Sequence, residues 1–157
     1  MLEKTLTAAQ LPIWAEEYAH SVASAYHPDC IILFGSVVRN IQKQDSDIDV
    51  LVIGGDLPIN YRERFRLLMR LRPQLAPIQV QSFTRPEWEK MMADKHVTVL
   101  EALRDGKALQ GQRLFTQWRQ QFQHWQDLGL RRTDCSWVIP PALRLAESIM
   151  PQKPPAE

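Results

Sequence analysis

Cysteine is nearly absent. Cys30 and Cys135 are the two thiols in 157 residues, far apart and without metal-ligand spacing. They exclude a disulfide scaffold and a zinc-ribbon type of site, and Cys30, which opens an apolar run, is expected to be a buried reduced thiol. Net charge is also scarce: a formal +1 gives no global attraction to nucleic acid or membrane, so any such binding has to be local. No apolar run approaches the ~20 residues needed to cross a bilayer. The N-terminus lacks a basic segment followed by an apolar core, so no secretory signal is read there and the cytoplasm is the expected location. His20, His27, His96 and His124 are scattered without ligand spacing, and Lys95 and Lys107 read as ordinary surface residues. There is no internal repeat and no low-complexity segment. What remains is a globular composition, 45% hydrophobic and 24% charged, in a chain long enough for one real core.

Apolar periodicity alternates between helix and strand. Thr7 to His27 reads as a helix, with Thr7 and Gln10 as a capping box and Leu11, Trp14, Tyr18, Val22 and Ala25 at helical spacing. Cys30 to Phe34 is a buried strand, and Ser36 to Asn40 can begin a short helix directly behind Gly35. Ile48 to Ile53 is, beyond its aspartate, apolar on both faces, hence a central strand covered on both sides. Tyr61 to Arg72 returns to helical period, with Tyr61, Phe65 and Leu68 on one face. Pro77 to Phe83 is a third strand, in which Ile78, Val80 and Ser82 alternate with Gln79, Gln81 and Phe83. Short helices follow from Pro86 to Met92 and from Val97 to Arg104, then an extended segment from Lys107 to Leu109. Gln112 to Leu128 carries Phe115, Trp118, Phe122 and Trp125 on one stripe, and Ala142 to Met150 is a last candidate helix before a Pro-containing tail. This pattern gives an α/β (α+β) protein with a small mixed β-sheet flanked by helices. Residues 1–111 are expected to form one domain and 112–157 a C-terminal helical extension with a flexible tail.

Two short features carry chemistry. Gly35 ends an apolar strand, where a residue without a side chain lets the backbone approach a ligand closely. The helix behind it would turn free N–H groups and its positive end toward phosphate, with the Ser36 hydroxyl and Arg39 one turn on. Twelve residues after Gly35, Asp47 and Asp49 flank Ile48 at the start of the central strand, so both carboxylates project from one face. Charges held that close repel each other, and a hard divalent cation such as magnesium relieves the repulsion. Each half alone is common as a plain turn or strand entry; the two together are far more specific.

The combination Gly35-Ser36, Arg39, then Ser46-Asp47-Ile48-Asp49, resembles the nucleotidyltransferase superfamily of the DNA polymerase β type, and within it the minimal nucleotidyltransferases. The resemblance runs more loosely through Phe83-Thr84, Pro86-Glu87-Trp88 and Leu103 to Leu109, covering roughly residues 25–111. It implies a polymerase β palm-like fold with extra C-terminal helices, and transfer of a nucleotidyl group, AMP in the leading case, from a nucleoside triphosphate to a protein or small-molecule acceptor. Gly35, Ser36, Arg39 and Ser46 would bind nucleotide; Asp47 and Asp49 would be the catalytic residues and would hold two magnesium ions. ATP or another nucleoside triphosphate is the implied substrate, and a HEPN-type toxin the implied partner of an antitoxin. Active members carry a third carboxylate on the next strand, where this chain has Gln79, which cannot act as a general base. Asp56, Glu87 or another acid is the alternative. A catalytically degenerate module that binds nucleotide or a partner is therefore the rival reading.

Two surface features have bland explanations. Arg62, Arg66 and Arg70 recur every four residues, with Arg64 and Arg72 nearby, and are read as the solvated face of a helix. No aromatic interleaves with them, so nucleic acid is not expected as a partner. The late aromatic stripe is expected to pack on its own domain, with a homodimer through the 112–128 helix as the minority alternative.

Overall fold

A computed structural model describes residues 10–35, 48–73 and 77–144. The Thr7 cap, the short helix behind Gly35 and most of the last candidate helix lie outside them, although residues 141–144 are helical. The elements in chain order are α1 (Gln10–Tyr26), β1 (Cys30–Phe34), β2 (Ile48–Ile53), α2 (Tyr61–Arg70), β3 (Ile78–Phe83), α3 (Arg85–Ala93), α4 (Val97–Asp105), β4 (Lys107–Gln110), α5 (Gln112–Asp127), β5 (Arg131–Arg132) and β6 (Trp137–Val138).

Four strands form one mixed sheet in the order β3-β2-β1-β4. β1 runs antiparallel to both neighbours, and β2 and β3 run parallel, joined by a crossover through α2. Alternation along each strand sends side chains to two separate cores. Ile31, Leu33, Val50, Val52, Ile78 and Val80 face α1 and α2. Cys30, Ile32, Leu51 and Ile53 face α3, α4 and α5. From Val50 to Ile53 both faces of β2 are buried, as that unbroken apolar run requires. The hydroxyl of the buried Tyr18 donates to the Leu68 carbonyl at 2.7 Å and fixes α1 against α2. No helix among the described residues is long and apolar enough to cross a membrane.

The aromatic stripe of α5 belongs to the second core. Phe115, Trp118, Phe122 and Trp125 are all buried, and Trp118 packs on the buried Trp88 of α3 with ring centroids 5.3 Å apart. These rings are used up inside the chain, so they are not the surface through which a second copy would pair. Residues 131–138 add a small two-stranded antiparallel hairpin, with Trp137 edge-on to Phe122. Two-residue strands have no period for a sequence to reveal.

Two helices and one turn residue differ from expectation. On α1 the buried stripe runs through Ala15, Tyr18, Ala19 and Val22 and continues to the partly buried Tyr26, leaving Ala25 exposed. On α2 the residues turned inward are Arg64 and Leu68, while Tyr61 and Phe65 stand out in solvent. Lys95 is not on the open surface: it is buried at φ 50°, with its ammonium 4.8 Å from the centre of the Trp125 ring.

Cys30 is buried and Cys135 exposed, and neither is in a disulfide. Burial, reinforced by the nearby Asp29 charge, pushes the Cys30 thiol up to about 12. A thiol that stays protonated is a poor nucleophile. Iodoacetamide is therefore expected to label Cys135 alone in the native protein, with Cys30 reacting only in denaturant, as mass spectrometry of tryptic peptides would reveal.

Candidate active site

β1 leads directly into Gly35, whose backbone takes φ 87°, the left-handed region that disfavours any side chain. A Cβ at this position would land on the Oδ2 atom of Asp49. Backbone conformation and space thus demand glycine independently. The sheet brings the rest of this end together. Phe34 pairs with Asp49 across β1 and β2, and Asp49 pairs with Gln79 across β2 and β3. Asp49 and Gln79 lie on the side of the sheet that carries α3, α4 and α5, with Asp49 partly buried and Gln79 exposed. β4 starts beside Leu33, so Asp105, the last residue of α4, also lies at this end, beyond β1. Its place in the sheet gives it a proximity that no spacing in the sequence announces.

Of the residues expected to form the site, Gly35 and Asp49 are in contact range and Gln79 is in register beside them. Ser36, Arg39, Ser46 and Asp47 lie outside the described residues. Asp56 and Glu87 do not stand in for a third carboxylate. Each follows the far end of β2 or β3, separated from Asp49 by about 13 Å or more of strand. There they have other partners: Asp56 Oδ2 lies 3.1 Å from His27 Nδ1, and Glu87 accepts from the Thr84 N–H at 3.1 Å in a capping box at the start of α3. That far end also holds a cleft of about 440 Å³ lined by His27, Asp29, Asp56 and Arg85. A second cleft, of about 330 Å³, lies between α1 and β4. Neither includes Gly35 or Asp49.

The donor set bears on magnesium. Among the described residues no group of three His, Cys, Asp or Glu side chains could hold a metal ion. Asp49 offers one carboxylate at the strand entrance, and its neighbour across β2 and β3 is a neutral amide, a weaker ligand. Among the described residues the donor set at this end is the Asp49 carboxylate, and Gln79 beside it adds no negative charge.

The polymerase β nucleotidyltransferase family model matches residues 17–98, from α1 through the start of α4. No curated protein matches the chain. Among solved structures, a toxin–antitoxin crystallised with AMP-PNP is similar at 21% identity and a TM-score of 0.50, covering 72% of this chain and 88% of that one. A protein from Sulfolobus solfataricus assigned as a nucleotidyltransferase is 23% identical at a TM-score of 0.43, over 57% of this chain and 85% of its own. A mutant of the MntA-HpeT toxin–antitoxin is 20% identical at a TM-score of 0.48, over 72% and 88%. At these identities the first of the three speaks for the fold alone. The family match spans more than half of the sequence and contains both the glycine turn and the acidic strand entry; the chain belongs to the polymerase β-type nucleotidyltransferase family.

Proposed function

We propose that the end of the sheet formed by Gly35, Asp49 and Gln79 is a nucleoside-triphosphate site with nucleotidyl transfer as its chemistry. The observation that carries this reading is the juxtaposition of Gly35 and Asp49, a side-chain-free turn directly against the carboxylate that opens β2. Gly35, with Ser36, Arg39 and Ser46, binds the triphosphate, and Asp47 and Asp49 hold magnesium. When bound, magnesium neutralises charge on the attacking and leaving oxygens of an in-line displacement. An acceptor oxygen bonds to the α-phosphorus, the bond to the β-phosphate oxygen breaks, and pyrophosphate leaves. The acceptor is a protein or a small molecule. A HEPN-type toxin is the protein acceptor suggested by the resemblance, and a toxin–antitoxin is among the similar folds.

Gln79 favours a second form of this reading. It occupies the strand position beside Asp49 and cannot take the acceptor's proton, which has to pass to solvent. Transfer by the natural chain is accordingly slow, and nucleotide binding outlasts it as the principal activity. Calorimetry with ATP, with and without magnesium, tests binding; labelled ATP with candidate acceptors tests transfer. Gln79→Asp is expected to raise transfer by about 10²-fold or more, the range of general-base assistance. Equal turnover by the natural protein and the variant would sink the slow-transfer form. Failure of both to take up nucleotide with magnesium would sink the site itself.

A further inference from the structure

We propose that the exposed face of α2 is a docking surface for single-stranded nucleic acid. The proposal does not rest on the transfer reading, because α2 shares no residue with the Gly35–Asp49 site.

Residues 61–72 contain five arginines and a single acid, Glu63, in a chain whose net charge is +1. Arg64 turns inward and is 1% exposed. Arg62, Arg66, Arg70 and Arg72 are exposed, and among the described residues none of the four forms an ion pair. On a helix, residues four apart share a face, so Arg62, Arg66 and Arg70 form one row with about 6 Å of rise between successive guanidinium groups. The parallel row one residue earlier is Tyr61, Phe65 and Met69. Tyr61 is 54% and Phe65 43% exposed, and Ile59, just before the helix, is 88% exposed. The two rings stack on each other, 6.5 Å between centroids with 21° between planes.

The cause of this arrangement is the buried arginine. Arg64 and Leu68 fix which side of α2 faces the sheet, and the rotation they impose carries Tyr61 and Phe65 out beside the cations. The aromatic row whose absence from the arginine face argued against nucleic acid is therefore present in the folded protein.

The occupant follows from the chemistry. A regular row of guanidinium groups without ion-pair partners among the described residues suits a chain of regularly repeated anions. Flat exposed rings beside it suit bases with free faces, a combination used to hold single strands. A duplex keeps its bases stacked internally and would leave the rings without a partner. An acidic protein surface would satisfy the arginines and leave the stacked rings unexplained. Direction is informative too. α2 starts beyond the far end of β2 and returns toward the start of β3, so Arg70 and Arg72 lie toward the end of the sheet that holds Asp49 and Gln79.

Fluorescence polarisation tests the proposal with the full chain, labelled oligo(U) and oligo(dT), and no nucleotide or magnesium present. The failure of this surface is thereby kept apart from failure of the transfer site. Binding is expected at low salt and to weaken as salt rises. In the Arg62→Gln/Arg66→Gln/Arg70→Gln variant, the slope of log affinity against log salt is expected to flatten by about 2, since a single strand gives ~0.7 for each phosphate neutralised. In Tyr61→Ala/Phe65→Ala, affinity is expected to fall about fivefold or more at an unchanged salt slope, the loss of one stacked base. Any of three results would overturn the proposal: no oligonucleotide binding, an unchanged slope in the triple variant, or poly-glutamate of equal charge binding as tightly and indifferent to the ring substitutions. The last would assign the surface to an acidic protein.

Discussion

Arg64→Met is expected to lower the unfolding free energy by about 3 kcal/mol, a large loss for one helical arginine. Its guanidinium joins three parts of the fold. Nε donates to Ser82 Oγ at 3.1 Å and Nη2 to the Ser82 carbonyl at 3.3 Å, both on β3. Nη1 donates to the carbonyls of Pro58 and Ile59, at 3.2 and 2.8 Å, in the loop before α2. Nη2 also meets Glu87 Oε1 of α3 at 3.2 Å. Methionine fills much of the same space and supplies no donor, so buried acceptors around Ser82 lose their partner. Glu87 is 47% exposed and can rehydrate, which keeps the total below the sum of the individual bonds. Arg64→Lys is expected to lose about half as much, because an ammonium cannot span the same set of acceptors. The neighbouring Arg66→Gln, on the exposed face, is expected to stay within about 0.5 kcal/mol of the parent. Urea unfolding checks all three: the midpoint should fall at an unchanged m-value.

The same group sets part of the acid response. Burial pushes the Glu87 carboxyl up, but hydrogen bonds from Thr84 and the Arg64 charge outweigh it and hold it below the ordinary carboxylate range. A carboxyl with a depressed folded pKa contributes stability above its unfolded value and loses that contribution as pH falls through the folded one. Stability should therefore decline below about pH 4 in the parent and decline less steeply there in Arg64→Met.

The sheet was legible in the sequence, the orientation of α2 was not, and both have the same physical cause. Cys30–Leu33 and Val50–Ile53 are apolar because they are buried on both sides, and Ile78–Phe83 alternates because every second residue faces α1 and α2. Such periods survive in sequence because burial selects side chains directly. Periodic reading assigns an arginine to solvent, so it puts Tyr61, Phe65 and Leu68 on one face and leaves Arg64 beside the arginine row. What overrides it is a cavity of carbonyls and one hydroxyl, contributed by the loop at 58–59 and by Ser82, which only the tertiary structure assembles. Lys95 went the same way, drawn onto the Trp125 ring by contacts that no spacing announces. The start of α3 is marked by Pro86 in its first turn, while the capping box of Thr84 and Glu87, complete in four residues, is a local signal that the periodic reading passes over. At the candidate site, the pattern around Gly35 and Asp49 was readable by resemblance, while the reason for the glycine required coordinates. Spacing cannot say that the Asp49 carboxylate fills the volume a side chain at position 35 would need.

That steric relation makes Gly35 and Asp49 separable by experiment. Asp49→Asn keeps shape and removes charge, so the fold should be retained while magnesium-dependent nucleotide uptake disappears. Any transfer activity, measured in the Gln79→Asp background where turnover is high enough to follow, should fall about 10²-fold or more, the scale of losing one electrostatic contributor to a transition state. Gly35→Ala acts by a different route. The new Cβ meets Asp49 Oδ2 in a backbone conformation that alanine disfavours, so the turn or the carboxylate must move. The expected cost is about 1–3 kcal/mol of stability together with loss of nucleotide binding. The double variant Gly35→Ala/Asp49→Ala decides between coupling and independence. Removing the carboxylate relieves the clash, so the double variant should be more stable than Gly35→Ala alone, yet remain unable to bind nucleotide with magnesium. Stability that simply adds would mean that the two residues do not compete for one volume. Nucleotide uptake retained by Asp49→Asn would place the phosphate site elsewhere on the molecule.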